Sequence, residues 1–481
     1  MGRRADLKTG YNCNCNCVFC VIGDKLFTGD RSTRDCLDEL RASRARCEDV
    51  VFTGAEVTIR DDFFTLLAAA KKLGYRTIQV QTNGRMLAYR AFAERAVAAG
   101  ANEFSPSIHG PTAKIHDALT RARGSFDQVV ACIDNLVALG QRVITNTVVT
   151  PTNAPHLPAL ATMLVARRVA QFQLAFPHPT GHADTLFDRV VPRMSEVAPH
   201  IHAALAIGVA GGVDCMAEAM PYCMMLGHES RVAELHIPPT EIVYDGYVVP
   251  DYAEDRVGRG KRRFEQCSPC RWESICEGTW REYPQRRGSE EFSPVLGARV
   301  VDPALVLDGA LEMLGSEAPP WPQPQSELPP YTALAFYPED FSPACTAQAQ
   351  GMEAGHAMLA ARGVTLLGVS PDDERRHETF AAAQGLSYRL ISDPEFDLAR
   401  AYGVVGEAPR RTVLVDARGR IAHVITRVDT AAHAAQILAA IDKLEAPPRS
   451  VLPRDDLVVL RRPSPSSRNG ESQSGASRSG A

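Results

Sequence analysis

The chain has 481 residues, of which 45% are hydrophobic and 23% are charged, and its formal net charge is −5. This composition is typical of a globular protein, and the length leaves room for about three domains. The charge balance gives no basic field for nucleic acid, and no run of about 18 apolar residues predicts a membrane span. Residues 1–6 lack the apolar stretch of a signal peptide, so we expect a cytoplasmic protein.

The chain contains thirteen cysteines, which in a reducing compartment indicate metal binding or catalysis rather than disulfides. Four of them stand singly in apolar context and are expected to be buried, inert thiols: Cys36, Cys47, Cys132 and Cys215. The others form three separate sites along the chain. These are Cys13, Cys15, Cys17 and Cys20; then Cys223, Cys267, Cys270 and Cys276; and finally Cys345 alone.

The first group has the spacing C-x3-C-x2-C at Cys13, Cys17 and Cys20, with Cys15 between the first two. Three thiolates on a [4Fe–4S] cluster leave one iron open to a small chelating molecule, whereas clusters with four cysteines transfer electrons. A zinc knuckle with Cys15 as its fourth ligand is the alternative. The spacing alone leaves both readings open.

Beyond this loop, strand-like and helical segments alternate up to about residue 200. The predicted strands are 49–52, 77–81, 103–108, 142–149 and 171–176, and the predicted helices are 33–46, 62–73, 91–99, 126–139 and 156–168. This alternation predicts βαβ units and a parallel sheet, with the active site at the carboxyl ends of the strands. Polar residues stand at or near those ends: Thr53, Gly54, Glu56, Thr82, Asn83, Ser107, His109 and Asn146.

Together, the cysteine loop and these strand ends resemble radical S-adenosylmethionine (SAM) enzymes over roughly residues 7–200. The resemblance implies a partial (β/α) TIM-type barrel and a [4Fe–4S] cluster on Cys13, Cys17 and Cys20, with SAM at the open iron. Thr53-Gly54-Ala55-Glu56-Val57 stands where the family has a Gly-Gly-Glu-Pro-like segment that binds the SAM amino group. Four further contacts with SAM are implied at Gly54, Asn83, Ser107 and Asn146.

The same resemblance implies a 5′-deoxyadenosyl radical that abstracts hydrogen from a peptide or other substrate. It also implies an external electron donor of the flavodoxin or ferredoxin type. In this interpretation Cys15 points away from the cluster. Ala55 and Val57 depart from the family pattern, which has Gly and Pro at these two positions.

Residues 206–300 contain the second cysteine group, next to a hairpin predicted by Asp245-Gly246 between apolar runs. The C-x2-C-x5-C element resembles the SPASM/twitch extensions of radical SAM enzymes. This resemblance implies an auxiliary Fe–S cluster on four cysteines: Cys223, Cys267, Cys270 and Cys276. A structural zinc with the same ligands is the alternative.

Residues 301–330 are rich in proline and predict an extended linker. After it, a strand at 332–336 leads to Cys345 in the first turn of a helix, where Ser342 suits the cap and Pro343 the first position. The helix dipole favours a thiolate there, so Cys345 is predicted to be reactive.

This segment is similar to thioredoxin-fold peroxiredoxins of the AhpC/TSA, bacterioferritin-comigratory type. Pro338, Ser342 and Cys345 match their P-x-x-x-(T/S)-x-x-C motif, and Arg410 matches their second active-site residue, with Arg411 adjacent. The resolving position holds Gln350, and no cysteine follows Cys345. The resemblance therefore implies a one-Cys peroxidase that an external thiol reduces.

We thus expect five units in chain order. They are a radical SAM partial barrel (1–205), a cysteine-rich extension (206–300), a linker (301–330), a thioredoxin-like α/β domain (331–445) and a disordered tail (446–481). Two other functions remain possible. The protein could be mainly a thiol peroxidase with a degenerate radical SAM half, or a zinc-stabilised scaffold.

Overall fold

The computed structural model describes residues 2–244, 247–322, 328–404, 406 and 410–449. They form a nine-stranded sheet, a two-stranded sheet and a five-stranded sheet, with helices packed around the larger two. This arrangement confirms the predicted α/β fold class. No helix in this described part of the chain has the length and apolar character to cross a membrane.

The N-terminal sheet is an open barrel of mostly parallel strands. In chain order they are β1 (Arg4–Lys8), β2 (Asp49–Thr53), β3 (Ile78–Thr82), β4 (Glu103–Pro106), β5 (Arg142–Val148), β6 (Gln171–Ala175), β7 (Asp214–Glu218), β8 (Thr240–Tyr244) and β9 (Tyr247–Val249). Their spatial order is β7-β6-β5-β4-β3-β2-β1-β8-β9. All neighbours are parallel except β8 and β9. Since β7 and β9 are both edges, the barrel is partial, as predicted.

Helices cover the outer surface of this sheet. They are α1 (Thr33–Arg44), α2 (Phe63–Leu73), α3 (Arg90–Ala99), α4 (Ala113–Thr120), α5 (Ser125–Ala138), α6 (Leu157–Ala166), α7 (His182–Thr185), α8 (Phe187–Val190) and α9 (Met194–Ala210). Apolar side chains three or four positions apart, such as Leu66 and Ala70 on α2 and Val129 and Ile133 on α5, are fully buried. This helical periodicity is the signal from which the sequence predicts α2 and α5.

The barrel sheet continues past the predicted boundary at residue 205. Helix α9 runs through that position, and β7 and β8 add two further parallel strands. Strand β7 escapes prediction because one of its faces lines the barrel interior, so Asp214 and Glu218 alternate with the buried Cys215 and Ala217. The β8–β9 pairing confirms the predicted hairpin, whose turn at Asp245-Gly246 lies outside the described residues.

The cysteine-rich extension that follows has little regular structure. Its elements are α10 (Tyr252–Asp255), a π-helical turn (Arg256–Gly260), β10 (Lys261–Arg262), β11 (Thr279–Trp280) and α11 (Tyr283–Arg287). Tyr222 stacks on Trp272, with ring centroids 4.7 Å apart, and both side chains are buried. Aromatic packing therefore supplies much of the core of this small unit.

Residues 301–322, expected to be part of a linker, are packed instead. Helix α12 (Ala304–Leu307) buries Leu305 and Val306. The backbone N–H groups of Gly315 and Ala318 donate to the carbonyls of Ile421 and Gly419, at the edge of the five-stranded sheet, each at 2.8 Å. The segment thus joins the two halves through a continuous core, while residues 323–327 lie outside the described chain.

The C-terminal domain is a thioredoxin-like sheet in the order β14-β13-β12-β15-β16. Its strands are β12 (Tyr331–Phe336), β13 (Val364–Ser370), β14 (Arg389–Ser392), β15 (Arg411–Asp416) and β16 (Ile421–Ile425). Its helices are α13 (Pro343–Ala361), α14 (Glu374–Gln384), α15 (Asp397–Ala401) and α16 (His433–Glu445). The tail predicted to be disordered falls, from residue 450 onwards, outside the described residues.

Candidate active sites

The first cysteine loop, residues 12–20, follows β1 at the carboxyl end of the barrel. Its backbone is held from two sides. The Val18 N–H donates to the Leu119 carbonyl at 2.9 Å, and the Cys20 carbonyl accepts from the His182 N–H at 2.8 Å. These bonds fix the loop path, so its thiols are positioned by the barrel and not by the loop alone.

Two glycines permit the close packing around this loop. Gly54 has φ +126°, and a Cβ there would lie 2.8 Å from the Gly10 carbonyl oxygen. Gly181 has φ +60°, and a Cβ there would lie 2.5 Å from the Cys20 carbonyl oxygen. A larger residue at either position would push the loop away from the barrel.

The thiols of Cys13, Cys17 and Cys20 are partly buried. Burial raises the pKa of both Cys17 and Cys20, and neighbouring cysteines add to this effect. The protein by itself therefore favours neutral thiols here. A bound metal cation is the kind of group that would favour thiolates instead.

Cys15 lies next to Cys13, and the expectation that its thiol points away from a bound cluster stays a prediction. Its side chain is buried, and the interaction with Cys15 is the largest cause that raises the Cys13 pKa, followed by burial. Its backbone N–H also lies 3.3 Å from Cys13 Sγ. The tight C-x-C turn brings the two residues together.

Glu56 lies just beyond β2 and is 2% exposed. Its Oε1 accepts from the Thr58 N–H at 3.1 Å, from the Thr58 hydroxyl and from the Thr82 hydroxyl at 2.6 Å, while Oε2 accepts from the Asn83 N–H at 2.6 Å. Burial raises the pKa of this carboxyl, and these hydrogen bonds oppose the rise. Oε2 accepts a single donor whereas Oε1 accepts three, so Oε2 is the oxygen that keeps room for one more.

Asn83 connects the end of β3 to the cysteine loop. Its Nδ2 donates to Asn14 Oδ1 at 2.6 Å and lies 3.8 Å from Cys13 Sγ. Three of the residues named from the sequence therefore meet in one place: Cys13, Glu56 and Asn83.

A polar cavity of about 470 Å³ occupies the barrel interior. Alternate residues of the strands line it, among them Gln79, Gln81, Gln171, Gln173 and Asn146. Asn146 Oδ1 is buried and has no hydrogen-bond partner among the described residues. Ser107 pairs with Asn146 through the backbone but does not line the cavity.

The second cysteine group also comes together. One small cavity is lined by all four of its members, Cys223, Cys267, Cys270 and Cys276. Burial is the main cause that raises the pKa of Cys223, and the nearby cysteines raise it further. The Val295 N–H points at Cys270 Sγ from 3.4 Å, a contact with no sequence signal. Within the described ranges, no three His, Cys, Asp or Glu side chains are arranged to hold a metal ion.

The third site surrounds Cys345, which is buried at the start of α13. The Ser342 hydroxyl accepts from the Cys345 N–H at 3.4 Å and so caps the helix. Arg410 Nη2 lies 3.1 Å from Cys345 Sγ. Adjacent Arg411 instead donates to the Gly403 carbonyl at 3.0 Å, so the two arginines have different surroundings.

Sequence reasoning misses Gln348, which lies one helical turn after Cys345. Its side-chain Oε1 accepts from Arg410 Nη1, so the guanidinium is held between the amide and the thiol. The i, i+3 spacing on a helix could have indicated this contact.

Two families match separate parts of the chain. Residues 7–163 match the Radical SAM superfamily, and residues 326–424 match the AhpC/TSA family. The chain is 31% identical over 121 residues to peroxiredoxin Bcp of Xanthomonas campestris pv. campestris, covering 23% of this chain and 76% of that protein. It is 33% identical over 189 residues to the mycofactocin maturase MftC of Mycobacterium tuberculosis, covering 38% of this chain and 46% of the maturase.

Two solved structures align with parts of the chain. Streptococcus suis SuiB bound to S-adenosylmethionine aligns over 60% of this chain and 76% of its own, with a TM-score of 0.46 and 14% identity. The peroxidoxin BcpB of M. tuberculosis aligns over 24% of this chain and 80% of its own, with a TM-score of 0.23 and 27% identity.

The fold and these matches define an enzyme made of two domains of different chemistry. The chain belongs to the AhpC/TSA peroxiredoxin family through its C-terminal domain, and its N-terminal domain is a radical SAM domain. The family resemblance inferred from the sequence is thereby confirmed for both halves. A radical SAM domain implies a [4Fe–4S] cluster and SAM.

Proposed function

We propose that the N-terminal half is a radical SAM oxidoreductase that modifies a peptide or other substrate in the barrel cavity. The observation that carries this proposal is the meeting of Cys13, Glu56 and Asn83 at the carboxyl end of the barrel. The polar cavity lies inside the same barrel and is lined from the amino ends of the strands, as at Gln171, to their carboxyl ends, as at Thr53; its lining does not include Cys13, Glu56 or Asn83. Similarity to a mycofactocin maturase supports a peptide substrate, although the match spans 46% of that protein.

The donor types at the first cysteine loop suit the implied cofactors, although no three described His, Cys, Asp or Glu side chains are arranged around a single metal ion. Cys13, Cys17 and Cys20 would hold the cluster, and the free acceptor site of Glu56 Oε2 suits the ammonium group of SAM. The orphaned Asn146 Oδ1 offers another acceptor facing the cavity. When bound and reduced, the cluster with SAM supplies a 5′-deoxyadenosyl radical that removes a hydrogen atom from the substrate.

Cleavage of SAM tests this proposal directly. Anaerobically purified and reduced protein should form 5′-deoxyadenosine, with electrons from a flavodoxin, a ferredoxin or a chemical reductant. Glu56→Gln keeps the shape of the side chain but removes its charge, so it should raise the KM for SAM. The absence of 5′-deoxyadenosine from iron-loaded protein would refute the proposed activity.

We propose that the second cysteine group holds an auxiliary Fe–S cluster. The four thiols line one cavity, and the Val295 N–H already points at the Cys270 sulfur, as hydrogen bonds to cluster thiolates do. Zinc is the competing occupant of the same ligands. Elemental analysis of a variant that lacks Cys13, Cys17 and Cys20 decides between iron and zinc.

We propose that the C-terminal half reduces peroxides through Cys345. Its thiolate would attack one peroxide oxygen, the O–O bond would break, and water or an alcohol would leave while Cys345 becomes a sulfenic acid. The Arg410 guanidinium at 3.1 Å would stabilise the thiolate and the developing charge. An external thiol would then restore the cysteine.

We further propose that this domain protects the clusters, because peroxide destroys exposed iron–sulfur centres. Full-length protein and its Cys345→Ser variant should lose visible absorbance at different rates under added peroxide, with the variant faster. Equal rates of absorbance loss in the two proteins would contradict the protective role and would leave both proposed activities unaffected.

A second candidate function is a thiol peroxidase with a degenerate radical SAM half. Ala55 and Val57 favour it, since Val57 is buried in the core instead of forming the family's proline turn. Retained peroxidase activity in protein that binds iron but does not cleave SAM would support this function.

A further inference from the structure

Glu273 lies inside the auxiliary cysteine loop, residues 267–276, and is 3% exposed. Its carboxylate accepts from Arg263 Nη1 at 2.7 Å, from Arg299 Nη2 at 2.9 Å and from the backbone N–H of Arg449 at 2.7 Å. A buried carboxylate is tolerated only with such partners, so the three donors are held firmly.

Two of these donors lie at the two ends of the peroxiredoxin half. Arg449 follows α16, and Arg299 precedes the packed segment that leads into the domain. The other side of the Arg299 guanidinium donates to the carbonyls of Ala446 and Leu444, at the end of α16. Unpaired carbonyls at a helix C-terminus attract a cation, so one guanidinium joins the cysteine loop to the last helix.

The loop backbone is tied to the same segment. The Arg271 N–H donates to the Val295 carbonyl at 2.7 Å, and the Val300 N–H donates to the Arg271 carbonyl at 2.8 Å. The backbone N–H of the same Val295 contacts Cys270 Sγ. The chain therefore enters and leaves the peroxiredoxin half on this one cysteine loop.

We infer that Glu273 and Arg299 form a clamp that couples metal retention at the auxiliary cysteines to docking of the peroxiredoxin domain. Both are positioning residues, since neither is a metal ligand. The inference rests on the proposed auxiliary site. Coupling is reciprocal, so a docked domain slows metal loss, and bound metal steadies the C-terminal end of α16.

Metal release from the full-length chain tests the clamp. With Cys13, Cys17 and Cys20 replaced by alanine, the remaining metal reports on the auxiliary site alone. Arg299→Ala should release that metal to a chelator about ten- to hundredfold faster, as loss of groups that support metal ligands does. Glu273→Gln keeps the size of the side chain and some of its hydrogen bonds, so it should increase the rate of metal release less than Arg299→Ala does. The release rate of Arg299→Lys should lie between the rates of these two variants.

Arg362→Ala is the matched control. Arg362 also pairs with the end of α16, at 2.6 Å from Asp442 and 2.7 Å from Glu445, but among the described residues it makes no hydrogen bond or ion pair with the cysteine loop. Its release rate should equal that of the parent. Hydrogen exchange at the end of α16 should speed up when the auxiliary metal is removed from the parent and change little in Arg299→Ala.

The outcomes separate the clamp from the site on which it rests. Equal release rates for Arg299→Ala and Arg362→Ala, in chains that hold metal, would overturn the clamp alone. A parent chain without metal at these cysteines would overturn the auxiliary site, and the coupling with it.

Discussion

The Cys345 site and the first cysteine loop place their sulfur atoms in opposite surroundings. At Cys345 the protein supplies a guanidinium 3.1 Å from the sulfur and a capped helix N-terminus. At Cys17 and Cys20, burial raises the thiol pKa. One site is complete as folded, whereas the other needs a metal to make thiolates.

Because of this difference, the two sites should lose activity through different kinds of change. The complete site depends on single side chains, so one substitution removes its chemistry. The incomplete site depends on its cofactor and on the backbone that shapes the loop. The following predictions test this contrast, starting with the largest expected effect.

Cys17→Ala should remove iron from the first site and reduce 5′-deoxyadenosine formation to background, because two thiols cannot hold the cluster. Peroxidase activity should be unchanged, because Cys345 needs no metal. Iron content and product analysis measure the first effect. The control is Cys47→Ala, a buried cysteine remote from the loop, which should keep its iron.

Arg410→Lys should lower kcat/KM for peroxide by roughly 10- to 150-fold, since a charge-assisted hydrogen bond is worth about 1.5–3 kcal/mol. Lysine cannot bridge Cys345 and Gln348 as the fork of Arg410 does. The neighbouring Arg411→Lys is the matched variant and should stay within about threefold. A larger loss in Arg411→Lys would reverse the assignment of the two arginines.

The peroxiredoxin domain should lose stability as the pH rises. His377 Nδ1 lies 2.9 Å from Asp340 Oδ2, and its Nε2 lies 3.2 Å from the Ile391 carbonyl, so both nitrogens face acceptors. Burial alone would lower the His377 pKa, but the hydrogen bond and charge of Asp340 offset this and raise it. A buried imidazolium therefore stabilises the folded state.

The sign follows from that raised pKa. The stabilisation is complete below about pH 6.5, the ordinary histidine pKa, and disappears as the pH rises through the folded value. We expect a change of about 1 kcal/mol in the free energy of unfolding, measured by urea denaturation between pH 6 and pH 9. His377→Gln should flatten the profile, and an unchanged slope would assign the effect to other groups.

Cys15→Ser should have the smallest effect, with iron content and SAM cleavage within about twofold of the parent. The three-ligand site needs only Cys13, Cys17 and Cys20. Cys15 is buried and its backbone N–H lies 3.3 Å from Cys13 Sγ, so the substitution is made directly beside a proposed cluster ligand. Loss of iron would make Cys15 a ligand and favour the closed, zinc-like alternative.

The sequence predicts features that depend on local pattern. The alternating strands and helices, the Ser342 cap and the pairing of β8 with β9 all follow from periodicity or turn residues. It does not predict β7, because half of its residues are polar and face the cavity. The contact of the Val295 N–H with Cys270 Sγ also escapes prediction, since it depends on how segments far apart in the sequence pack.

The barrel interior has a consequence for evolution and engineering. Its strands place glutamine and asparagine where other barrels pack branched aliphatic side chains. Apolar replacements at Gln79 or Gln171 would therefore tend to raise the melting temperature and, by filling the cavity, abolish turnover. Selection for thermostability alone would therefore favour stable but inactive variants. Libraries should be screened for product formation and not for survival on heating.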